Sequence, residues 1–183
     1  MAARLKAACL NWGGARRAAW YNIAQSHPRT EPPMLQDALL AWLHYLAIFV
    51  LVVLMTAEAV LLRPGIPAAA VPRLARYDLG YALSAVAVLA TGVLRLTLGA
   101  KGAAFYLANP WFHAKIGVFV AVALCSIPPT LRFLRWRRRA AQDPGFVPAE
   151  ADIRRARRWV MIEAHLFILL PLFAALMARG VGM

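Results

Sequence analysis

Residues 38–62 read ALLAWLHYLAIFVLVVLMTAEAVLL, a 25-residue run that holds Glu58 but no lysine or arginine. A helix of that length covers about 37 Å, more than the ~30 Å hydrocarbon core of a bilayer. Three further segments have the same character: residues 77–98 (YDLGYALSAVAVLATGVLRLTL), 111–131, and 159–178 (WVMIEAHLFILLPLFAALMA). With 62% apolar residues the chain exceeds the roughly 45–50% of a soluble domain. Lipid offers backbone amides no partners, and no alternating segments of ~10 residues suggest a barrel, so each run is helical. The fold class expected is all-α: an integral membrane, antiparallel four-helix bundle over residues 34–183. Its spans are about 38–62, 77–98, 111–131 and 159–178. Pro128 and Pro129 are expected to bend or end the third span, and Pro171 to kink the fourth.

The 21 Lys and Arg against 8 acids give +13. These charges punctuate apolar runs rather than forming a basic face, which excludes nucleic acid as a partner. Nine arginines (132, 135, 137, 138, 139, 154, 155, 157 and 158) crowd the third connection, and Arg63, Arg73 and Arg76 lie in the first. The second connection has only Lys101, and the C-terminus only Arg179. The positive-inside rule then gives a multi-pass protein of the bacterial inner membrane, N-out and C-out, with Arg132–Arg158 against anionic headgroups. Residues 1–33 carry Arg4, Lys6, Arg16, Arg17 and Arg29 on the opposite side and contain no apolar signal-peptide core. Met34 is therefore the expected start, the alternative being a surface helix or disordered arm. Cys9 and Cys125 make no disulfide or zinc pattern.

Ionisable groups inside spans are candidate sites, because charge in lipid is costly. His44, Arg95, His113 and Lys115 form one layer; Glu58, Asp78, Glu163 and His165 form another nearer the arginine-rich side. His44 and Glu58 share a face of the first helix with Leu51 and Met55. Ser84, Thr91 and Arg95 line a stripe of the second, with Gly92 beside it. His113 and Lys115 are about 200° apart on their helix, as are Glu163 and His165, so neither pair can point to one centre. Lys115 and Arg95 are close enough to a boundary to snorkel, and His113 can sit in an interfacial belt with Trp111. A structural ion pair accounts for Glu58 and Asp78. His44 and His165 are separated by roughly 12 Å along the bundle axis, too far to share one iron, whereas His44 and His113 differ by only ~6 Å. Acids are expected to be missing from the His44 layer.

The stretches LLAWLHYLAIF, AEAVLLRP, GAKGAAFYLANPWFHAKIGVFV, SIPPTLRFLRW and FAALMARG resemble an uncharacterised family of small four-helix bacterial inner-membrane proteins. His44 and the WFHAK sequence (Trp111, His113, Lys115) also resemble HemJ-type protoporphyrinogen oxidases and CopD-like membrane proteins. That second resemblance implies b-type haem or porphyrin binding. TAEAVLLRPG replaces the longer, more polar HemJ pattern at the end of the first helix, so it implies the bundle and the haem rather than the oxidase reaction.

A haem b redox protein is the expectation these readings favour, a membrane oxidoreductase if it is an enzyme. His44 and His113 are the metal-ligand candidates, and Arg95 and Lys115 the propionate partners. The rival is a non-enzymatic scaffold or small-solute permease in which the same charges make interhelical pairs. With four helices, a permease needs a homo-oligomer.

Overall fold

The computed structural model describes residues 34–99 and 102–181, and every regular element among them is helical. The expectations about residues 1–33 lie outside the described residues. Helix α1 spans Met34–Leu61, a 3-10 turn covers Ala68–Ala70, and α2 spans Val71–Leu98. The short α3, Gly102–Leu107, precedes α4, Pro110–Gln142; α5, Glu150–Phe167, and α6, Leu169–Ala178, complete the chain. Among the described residues, four helical stretches are long and apolar enough to cross a membrane: Met34–Leu61, Ala68–Leu98, Pro110–Gln142 and Glu150–Ala178.

The side-chain distribution is inverted relative to a water-soluble bundle. His44, Glu58, Asp78, Ser84 and Glu163 are buried, while Trp42, Phe49, Val53, Leu83, Val86, Val120, Leu124 and Leu172 face outward. Lipid solvates apolar side chains but leaves polar ones to find partners inside. On α1 the buried positions are His44, Leu51, Met55 and Glu58, a spacing of seven, four and three that makes one stripe. That stripe meets α2. His44 bonds Thr91, and a Cβ on Gly80 would stand 3.1 Å from Leu54 Cδ1. A side chain at residue 80 would need the Leu54 side chain to give by a few tenths of an ångström, so the glycine lets it pack closely on α2.

The helices extend past the apolar windows. Helix α4 has 33 residues, about 50 Å at 1.5 Å per residue, so its arginine-bearing turns project beyond a ~30 Å core. It continues through Pro128 and Pro129 rather than ending there. The prolines remove the amide donors for the carbonyls of Leu124 and Cys125 while leaving φ helical. Helix α5 begins at Glu150, where Glu150 and Asp152 complement the helix dipole and Glu150 pairs with Arg154 at 3.0 Å. At Ile168 the fourth span keeps helical φ and ψ, but the amide bonds back to His165 O rather than one residue further. Pro171, three residues on, leaves the Phe167 carbonyl without its helical donor.

At the arginine-rich end an apolar cluster resembles a soluble core. Leu62, Val71, Leu74, Phe133, Trp136, Ile153, Ala156 and Val160 pack there, and the Phe133 and Trp136 ring centroids are 5.7 Å apart. Arg157 Nη1 donates to the carbonyls of Ala59 and Leu62 at 3.1 and 2.8 Å. It thereby caps the last turn of α1, which has no basic residue of its own. Phe133 is fully buried, so Phe133→Ala is expected to cost roughly 3–5 kcal/mol. Denaturant unfolding in detergent measures it; a loss below about 1 kcal/mol would show that this end collapses around the cavity.

Candidate functional site

The turn before α4 explains the NPWF sequence. Asn109, fully buried, accepts the amide of Trp111 on its side chain at 2.9 Å, and Pro110 follows where a helix tolerates a missing N–H. Trp111 Nε1 donates to Val181 O at 2.8 Å, and its ring stacks on Phe173 with centroids 5.7 Å apart. These contacts fix the first turns of α4 against α6 and so set where Lys115 points.

Lys115 points into a cavity of about 150 Å³ that His44, Gly92, Arg95, Phe112 and Met177 also line. His44 Nδ1 lies 2.9 Å from Thr91 Oγ1, and that hydroxyl gives its proton to Ala87 O at 2.7 Å. The hydroxyl also lies 3.2 Å from Val88 O; with its one proton turned to these carbonyls it can accept from Nδ1–H, the tautomer that leaves the Nε2 lone pair free. A Cβ on Gly92 would stand 3.5 Å from His44 Cε1, in ordinary contact with the ring. The Arg95 guanidinium lies 5.8 Å from the Tyr45 ring centroid, and its Nε is buried without a hydrogen-bond partner. Among the described residues no acid lines the cavity. The layer as a whole is not free of acid, however. The Asp37 carboxylate sits one residue before the expected span, 3.3 Å from where a Gly99 Cβ would stand.

His113 is elsewhere. It is exposed, with Nε2 at 2.9 Å from the Leu107 carbonyl, and it does not line the cavity. Of the four residues expected in this layer, the structure brings together His44, Arg95 and Lys115. Among the described residues no group of three or more His, Cys, Asp or Glu is placed to hold a metal ion.

The second polar layer is acidic. Glu58, Asp78 and Glu163 are all buried, from three different helices. Tyr81 Oη donates to Glu163 Oε1, and Thr130 Oγ1 donates to Asp78 Oδ1 at 2.7 Å. His165 turns outward, with Nδ1 2.6 Å from Met161 O. Sequence reasoning did not find Tyr81 and Thr130. The available signal was Tyr81 standing one helical turn after Asp78, on the same face.

The DUF2214 family model, described as predicted membrane protein, matches residues 36–182. The chain belongs to that family. No curated protein and no solved structure matches it. Family membership and the four apolar spans agree on a membrane protein.

Removing the donor to a buried carboxyl leaves its desolvation uncompensated. Tyr81→Phe is therefore expected to cost about 1–3 kcal/mol, read as a lower unfolding midpoint than wild type. An unchanged midpoint would show that Glu163 finds another donor.

Proposed function

We propose that the cavity at the His44 end binds haem b or a related porphyrin, making this a membrane redox protein. The observation that carries the reading is His44. Its Nδ1 is tied to Thr91, an arrangement that suits the tautomer with Nε2 free, and the ring lines a cavity that also holds Arg95 and Lys115. The donor set suits an iron held by one histidine, with Thr91 orienting the ring as second partners of metal-bound imidazoles do. Arg95 and Lys115 would take the propionates, and Leu89, Val93 and Phe119 would exclude water. The cavity is smaller than a tetrapyrrole, so it would take part of the ring and leave the rest to neighbouring lipid. When bound, haem supplies one-electron chemistry at iron, tuned by ligand and surroundings. His113, outside the cavity, is not needed as a ligand.

Colour tests this. Protein produced with ample haem should show a Soret band, and His44→Ala should abolish it. Lys115→Ala should weaken retention by roughly tenfold, equivalent to about 1.4 kcal/mol, without removing the band. Colourless wild-type protein would overturn the reading and leave a scaffold or oligomeric permease.

The orientation that accompanies this reading is N-out and C-out in a bacterial inner membrane, with Arg132–Arg158 against anionic headgroups on the cytoplasmic side. It rests on the arginine distribution. A C-terminal alkaline phosphatase fusion should be active; activity of a cytoplasmic reporter at the same place would invert the assignment.

A further inference from the structure

The acids are distributed unevenly. Of the chain's eight Asp and Glu, three are Glu58, Asp78 and Glu163, and these are only 3%, 5% and 2% exposed. They come from α1, α2 and α5 to one place: Asp78 and Glu163 are the electrostatic neighbours of Glu58. Such a cluster inside a lipid-embedded bundle needs cations, hydrogen-bond donors or neutralisation.

Cations do not supply the balance. Among the described residues no Lys or Arg forms an ion pair with any of the three. The Arg157 guanidinium, on the same helix as Glu163, is engaged with the carbonyls of Ala59 and Leu62. Arg132, two residues after Thr130 on α4, has a buried Nη1 with no partner and does not reach the acids.

Donors do not supply it either. Tyr81 from α2 serves Glu163, and Thr130 from α4 serves Asp78. Ser84, the next hydroxyl along α2, gives its proton to Gly80 O instead. Glu58 Oε1 is buried and has no hydrogen-bond partner. Two deficits therefore coincide at one group: an excess of negative charge and a missing donor. A single proton on Glu58 answers both, because it removes one negative charge and spares Oε1 the cost of a buried anion with no donor.

We propose that Glu58, Asp78 and Glu163 form a proton-binding site inside the bundle, with the proton held on Glu58. The ligand is the proton itself, taken up from and returned to water. The site does not depend on what occupies the His44 cavity, since no residue is common to the two.

Infrared spectroscopy of the full chain in detergent reads this directly. Ordinary carboxyl groups in water are ionised at neutral pH, so they contribute carboxylate bands and leave the protonated-carboxyl C=O region clear. Wild-type protein at neutral pH should show a band in that region that shifts in D2O. Glu58→Gln, which keeps the shape and an N–H donor, should remove it, while Asp143→Asn at the exposed α4–α5 turn should leave it intact. A wild-type spectrum without the band overturns the proposal even if the Gln variant fails to fold. A band of unchanged intensity in folded Glu58→Gln overturns it as well.

Discussion

Lipid accepts any apolar side chain and satisfies no polar one, and this asymmetry organises the whole bundle. It explains why Trp42, Phe49 and Leu83 are exposed while His44, Glu58 and Asp78 are buried. The hydrophobic effect that closes a soluble core has little to act on between helices already in hydrocarbon. Close approach and polar pairing take its place. Gly80 lets Leu54 near, Thr91 receives His44, and Tyr81 reaches Glu163. Only past the apolar zone does ordinary packing return, around Phe133 and Trp136.

The bundle consequently has two polar interiors of opposite sign. One, at the His44 end, is an apolar cavity edged by cations. The other, toward the arginine-rich end, gathers carboxyls from three helices. The residues between them on α1, Leu51 and Met55, join an apolar layer with Tyr81. That layer separates the charges, so the two interiors do not simply neutralise one another.

Much of this was legible in the sequence, and the misses have physical causes. Apolar length marked the four spans, because the bilayer sets a minimum run. It could not mark their ends. Hydropathy reads the arginines of α4 and the first turns of α5 as loop, whereas exposed Arg is a good helix former. The helical angle separated His113 from Lys115 but did not say which turns inward. That is decided by the turn at Asn109 and Pro110 and by Trp111, whose contacts with Val181 and Phe173 join residues 60 to 70 positions apart. The acids were visible as buried charges. Their partners Tyr81 and Thr130 were not, since a tyrosine or threonine in an apolar run looks like packing until the facing helix is known.

The fourth span ties the two polar interiors to different neighbours. Its first part stays with the Arg157 cap on α1 and the apolar cluster, while α6 is held to the head of α4 through Trp111. Ile168 between them keeps helical φ and ψ, so Glu163 and Met177 lie along one path. One helical span therefore walls both the acid cluster and the cavity.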